Sequence, residues 1–177
     1  MFRRTTSKPP PMTPLAAVTT DLAVGVAAGV AASLAMNLFQ QAWAKLVTRP
    51  PEPSATEEAA YHLTGALAEA PASPKARKRL GSVIHYTTGA VVGAIYGVAS
   101  GVLPALTSAN GTAFGTAAWA IGDEVAVPLL GLGPPLGRTK FTDHAFGLAS
   151  HLVFGLTMDL VRRHLNERIA QNRSPQS

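Results

Sequence analysis

Charged and apolar residues are sorted into separate blocks along this chain. Residues 22–44 carry no formal charge, residues 80–122 carry none over 43 positions, and residues 144–158 carry none over 15. A soluble helix keeps a charged stripe toward water, so uninterrupted blocks of this length read as membrane spans of about 20 residues each. The pattern predicts four spans, at about 22–46, 80–103, 107–128 and 142–162. Inside these blocks small residues recur every fourth position. Gly25, Gly29, Ser33 and Asn37 form one row, Gly89, Gly93, Gly97 and Gly101 a second, and Gly111 and Gly115 a third, while Gly147 and Gly155 share a row with His151. Positions i and i+4 stack on a helix, so each row is a flat face on which another backbone can press. The second and third spans, joined by a short uncharged turn, are expected to close as an antiparallel hairpin around these faces. The same faces would also suit self-association into a homo-oligomer.

Between the blocks the composition changes. Residues 1–20 hold Pro9, Pro10, Pro11 and Pro14 among basic and hydroxyl residues and read as a disordered tail, as do residues 171–177. Thr20 or Asp21 is placed to cap the first helix. A secretory signal is disfavoured there, because the apolar stretch exceeds the usual 7 to 15 residues and ends in Asn37, Gln40, Gln41 and Trp43. Pro50, Pro51 and Pro53 end that helix, and residues 54–70 predict a short amphipathic helix at the membrane interface. Pro128, Gly131, Gly133, Pro134, Pro135 and Gly137 predict a broken helix end and an irregular loop. The last span has only 15 residues between its charged ends, short enough to need tilt or a locally thinned bilayer.

Composition narrows the partners. Net charge is +5 and the isoelectric point about 10.0, which in a soluble domain would suggest nucleic acid. Here the basic residues flank apolar blocks as juxtamembrane Lys and Arg do, so the lipid bilayer and not nucleic acid is the expected partner. With four spans the Lys and Arg divide seven to eight between the two sides, which leaves orientation open. The absence of cysteine removes disulfides, thiolate metal sites and thiol nucleophiles. Ser100, Ser108 and Ser150 lie in no nucleophile elbow and no phosphate-binding glycine loop is present, so no catalytic residue and no cofactor are assigned.

The candidate chemistry is carried by carboxylates and imidazoles within the spans. Asp123 continues the row Gly111, Gly115, Trp119 and would face the bundle interior, with Glu124 beside it. The 16 uncharged residues 107–122 cover about 24 Å of helix, so this pair sits either at depth or at the far interface. His85 lies on the second glycine row and His151 on the row Asp143, Gly147, His151, Gly155, Asp159, and His144 opens the last block. Together these side chains could relay protons, hold a metal through nitrogen and oxygen ligands from three helices, or hold partners by interhelical hydrogen bonds. No short metal-ligand pair occurs, and no metal site is assigned.

The C-terminal half resembles the YagU-like family of small bacterial inner-membrane proteins. The resemblance is carried by Pro128-Leu129-Leu130-Gly131-Leu132 with Pro134-Pro135, by Phe146-Gly147 and His151-Leu152-Val153, and by Arg162-Arg163 with Leu165, Arg168 and Ile169. It covers about residues 84–169, and the segment between the first two spans departs from the family's usual pattern. What the resemblance implies is a multi-pass helical protein of the bacterial inner membrane with no assigned reaction. The resulting expectation is an all-α integral membrane bundle of four transmembrane helices, residues 21–170. Its role would be non-enzymatic, structural or responsive to pH or envelope stress. The alternative is a small proton- or cation-linked transporter or channel subunit using Asp123, Glu124 and the histidines. A membrane enzyme would require convergent polar groups in one pocket.

Overall fold

A computed structural model describes residues 12–47, 53–68, 72–135 and 137–173. Every described element is helical: α1 (Pro14–Leu46), α2 (Ala55–Ala68), α3 (Pro74–Val102), a 3₁₀ segment (Pro104–Gly111), α4 (Thr112–Ile121), a π-helical turn (Gly122–Ala126), α5 (Val127–Leu129) and α6 (Phe141–Arg173). Three of them, α1, α3 and α6, are long and apolar enough to cross a membrane.

Local chemistry sets several boundaries away from the sequence expectation. α1 starts at Pro14 and not near residue 21. The Thr13 side chain accepts from the Ala16 amide, and Pro14 occupies the first position, where its missing N–H costs nothing. Thr20 is therefore no cap, and its hydroxyl instead donates to the Ala16 carbonyl at 2.7 Å. Residues 1–11 and 174–177 of the two expected tails lie outside the described residues, while residues 171–173 belong to α6. α3 begins in the same manner as α1, with Ser73 as cap and Pro74 next. The amphipathic segment expected at the interface folds as α2, which ends at Ala68, and residues 69–70 of the expected range lie outside the described residues.

The third expected span, 107–128, is not one regular helix. Ala109, Asn110 and Gly111 all take left-handed backbone (φ 51°, 56° and 83°), so the α-helical stretch starts only at Thr112. Ten residues later it widens into the π-turn ahead of Pro128. The last helix departs in the other direction. Expected at 142–162 and short, it runs 33 residues to Arg173, because nothing after Arg163 breaks it.

The helices alternate in direction. α1 and α3 run antiparallel with their glycines in register, Gly29 opposite Gly89 and Gly25 opposite Gly93, while Gly97 lies on the Asp21 carbonyl. A Cβ at Gly93 would sit 2.7 Å from the Gly29 Cα, so neither helix admits a side chain at these points. The glycine row of α3 thus meets α1, and the expected hairpin between the second and third apolar segments around that row is not formed. Gly101 touches nothing within 4 Å and plays no part. α4 forms a second antiparallel pair, with α6: Gly111 and Gly115 lie against Gly155, and Trp119 and Asp123 lie against Gly147. Phe146 near the start of α6 packs against Phe39 and Trp43 near the end of α1, with ring centroids 6.3 and 5.7 Å apart. α1 is thereby flanked by α3 and α6.

The interior is made of small and medium residues. Ala28, Ala32 and Met36 of α1 meet Tyr96, Phe154 and Met158, and Phe114 tilts onto the Tyr96 ring at 4.6 Å. The outside carries the larger apolar side chains. Leu22, Val26, Val30, Leu34 and Leu38 form an exposed i+4 ridge on α1 directly opposite its Gly25, Ala28, Gly29, Ala32 and Ser33 face. In water this distribution would leave a large apolar patch uncovered. In hydrocarbon it is the expected one, because close backbone approach and not apolar burial then drives helices together.

Candidate functional site

The π-turn is where the sequence concentrates polar chemistry. Pro128 offers no N–H and its ring would collide with the carbonyl four residues back, that of Glu124. The chain answers by widening: the Val127 N–H donates to the Gly122 carbonyl, five residues back. Consecutive carboxylates then reach the same neighbouring helix. Asp123 Oδ2 lies 3.5 Å from His151 Nδ1, and Glu124 Oε1 lies 2.6 Å from His144 Nδ1. His144 and His151 are seven residues apart, two turns of one face of α6, or about 10 Å.

The partners of each imidazole fix its tautomer. His151 Nδ1 is 3.0 Å from the Gly147 carbonyl, which can only accept, so Nδ1 carries the proton and Nε2 is the basic atom. His144 Nδ1 donates to Glu124 in the same sense. His85 is held the other way round, its Nε2 donating to the Ser33 carbonyl of α1 at 3.3 Å, and its ring stands edge-on to Tyr86. Gly147 makes the approach of α4 possible. A Cβ there would lie 3.0 Å from Trp119 Nε1 and 3.1 Å from Asp123 Oδ2. Trp119 Nε1 is buried without a hydrogen-bond partner, an orphan donor beside the Asp123 carboxylate.

Asp123, His151 and His85 line a cleft of about 710 Å³, together with Asn37, Gln40 and Gln41 of α1, Glu57 of α2 and Lys78 and Ser82 of α3. Its walls mix amides, hydroxyls and both signs of charge with the apolar Met36, Ala55 and Val127. Beyond His151 the bundle closes, since Gly115 lies on the His151 carbonyl and Gly155 on Gly111. The cleft is therefore a polar vestibule that ends against tightly packed backbone.

Of the five residues singled out from sequence, Asp123 joins His151 and Glu124 joins His144, while His85 shares the cleft but bonds to α1. Among the described residues no three His, Asp or Glu side chains are gathered as a metal site would require. One cluster escaped the sequence reading. Asp159, 1% exposed, accepts from Tyr96 Oη at 2.9 Å and from Arg162 at 2.9 and 3.3 Å, with Arg163 Nε 3.2 Å from its second oxygen. Arg163 also donates to Asn110 in the left-handed turn at 3.0 Å. The signal was present in the i+3 and i+4 spacing of Asp159 to Arg162 and Arg163, with Asp159 on the same row as His151.

An all-helical chain with three helices able to cross a membrane and polar pairs between its helices is compatible with a membrane protein. The family model described as "Protein of unknown function (DUF1440)" matches residues 68–160, more than half of the chain, and the chain belongs to that family. The match takes in α3 through most of α6 and stops short of α1, which supplies the partner face for the α3 glycines. No curated protein and no solved structure matches the chain.

Proposed function

We propose that this chain is a non-enzymatic, multi-pass protein of a bacterial inner membrane, of the YagU-like kind. In this reading the arm formed by the π-turn and α5 is held on α6 in a pH-dependent way. The observation that carries the reading is the double pairing of Asp123 with His151 and Glu124 with His144, two carboxylate–imidazole contacts between the same two elements. A fourth crossing is part of the proposal. α3 ends at the Tyr96–Asp159 end of the bundle and α6 starts at the Phe39–Trp43 end, so the chain between them traverses the bundle's length, and α4 with its π-turn does so antiparallel to α6. Glycine rows provide the close contacts in place of apolar burial.

The charged or titratable groups facing this arm are His144 and His151 from α6, Glu57 from α2, and Lys78 and His85 from α3, while α1 contributes only the neutral amides Asn37, Gln40 and Gln41. With the imidazoles protonated and the carboxylates ionised, both contacts are charge-assisted. As pH rises through the ordinary histidine range, near about 6.5, loss of the imidazolium proton removes one charge of each pair and leaves a neutral ring beside a carboxylate, a weaker contact, and the arm loosens. Because the chain contains no cysteine, a spin-label pair can be introduced without background at Val125 and Leu160, both exposed. In vesicles the distance distribution should broaden as pH is raised from acid to alkaline, and it should stay narrow throughout only if the pairing has no role. His144→Gln with His151→Gln should give the broad distribution at every pH.

The open cleft favours a second reading, proton- or cation-linked transport with Asp123 as the coupling group. Flux into reconstituted vesicles that disappears in Asp123→Asn supports it. Absence of flux in a protein whose arm still responds to pH leaves the first reading standing.

A further inference from the structure

The cations at the start of α3 are not equivalent. Arg77 is committed inward: it pairs with Glu58, its Nε donates to the Glu57 carbonyl at 3.1 Å, and its guanidinium lies over the Tyr61 ring at 5.1 Å. Lys75 and Arg79 have no acidic partner among the described residues and are exposed. They are four residues apart, so they stack on one face. They flank a separate groove of about 480 Å³ whose other walls are Ser73, Ala76 and Leu80. The i+4 row continues along α3 as Val83, Thr87, Val91 and Ile95, all exposed, the first and last 60% so. Two cations with no acidic partner among the described residues thus head an outward apolar ridge about 18 Å long, twelve residues at 1.5 Å each.

We infer that this face binds one anionic phospholipid, its phosphate held between Lys75 and Arg79 over the groove and an acyl chain laid along Val83, Val91 and Ile95. Charge complementarity selects an anionic headgroup, and the continuity of the cations with an apolar ridge selects a lipid over a free phosphate. A purely electrostatic attraction of basic residues to a membrane surface needs no groove and no ridge. This inference rests on α3 lying in a bilayer and not on the histidine pairs, so it stands or falls apart from the pH response.

The test uses the full chain, purified in detergent and returned to phosphatidylcholine bilayers containing headgroup-labelled phosphatidylglycerol. Lys75→Gln with Arg79→Gln should weaken retention of the labelled lipid about thirtyfold, from roughly fivefold for each cation compounded over the two. Arg138→Gln with Lys140→Gln, which removes the same charge from another loop, should leave retention intact. Val83→Asn should weaken the long-chain lipid while sparing a short-chain analogue, which keeps the inference testable if the double variant fails to fold. Equal retention by wild type and the Lys75/Arg79 variant overturns it. So does equal loss in the Arg138/Lys140 variant, or displacement of the lipid by inorganic phosphate at comparable concentration.

Discussion

Gly93→Ala is the sharpest probe of how the bundle is held. A Cβ at this position would sit 2.7 Å from the Gly29 Cα and 2.9 Å from the Gly29 N, and closer still to the Gly25 carbonyl oxygen. Carbon–carbon contact is comfortable at about 3.5 to 4.0 Å. All three obstacles are backbone of α1, which cannot turn aside as a side chain could, so the two helices must separate by about 1 Å along much of their crossing. The separation weakens the contacts at Gly25 and Gly89 together with those at Gly93. Overpacking of this kind costs about 1–3 kcal/mol. Helix propensity works in the opposite direction, since Ala is favoured over Gly by about 0.8–1.0 kcal/mol in a helix interior, and the net loss is then about 0–2 kcal/mol.

Gly101→Ala is the matched control, the same chemical change on the same helix where nothing lies within 4 Å. It should be neutral or slightly stabilising, because Gly101 lies one residue from the helix end and gains little from propensity. The assay is reversible unfolding in mixed micelles, followed by helix content and by the reactivity of a cysteine introduced at Ala28, which is buried between the helices. The Ala28 thiol should react faster in Gly93→Ala and unchanged in Gly101→Ala. Equal behaviour of the two variants would refute the close α1–α3 contact as the source of stability.

Three further outcomes follow from other contacts. Asp159→Asn removes the negative charge that faces Arg162 and Arg163 and leaves one accepting oxygen in place of two, and the same unfolding assay should show a loss on the order of 3 kcal/mol, with Arg162→Gln adding much less on top of it than alone. Ala109→Gly should stabilise the chain by about 0.5–1 kcal/mol, since Ala109 sits at φ 51° where a Cβ is unfavourable; a destabilised variant would show that the turn is not left-handed. Gly147→Ala should displace the Trp119 indole, and in a Trp43→Phe background, where Trp119 is the remaining tryptophan, its emission should shift and the His151 contact should weaken; an unchanged spectrum would contradict the packing at Gly147.

The sequence carries some of this structure plainly and some not at all. Charge-free blocks announced long apolar helices, because burial of polar groups in hydrocarbon is costly whatever the tertiary arrangement. The four-residue glycine rows marked which faces would be close, but not which helix each would meet. A flat face is complementary to any other flat face, and Gly89, Gly93 and Gly97 found α1 and not the segment next in sequence. Irregularities were harder. The π-turn exists because Pro128 acts on Glu124 four residues upstream, and the left-handed run is signalled by Asn110 and Gly111 but not by Ala109, where it begins. The pairing of Asp123 and Glu124 with two different histidines follows from that turn and could not be counted out along a regular helix. α6 was cut short because Asp159 and Arg162 looked like the end of a span, whereas they form a buried cluster inside a longer helix.

That cluster gives the molecule its asymmetry. Both ends of the α4–α6 pair are tied by charge, but in different ways. At the Gly111 end, Asp159 is buried, held by Tyr96 and two arginines, and Arg163 reaches across to Asn110. Next to it the Gly111, Gly115 and Gly155 backbones are in direct contact. At the other end the ties are imidazoles, and Asp123, 40% exposed, lines the cleft. In the proposed reading, a change in protonation acts at the imidazole end of α4. The glycine contacts at the fixed end leave no room for sliding, so the response must be confined to the π-turn and α5. Spin labels placed at Thr116 and Leu156, on the fixed side of His151, should report the same distance at every pH at which the Val125–Leu160 pair changes. Motion at both pairs would mean that α4 moves as a rigid body, and that the cluster around Asp159 is not an anchor.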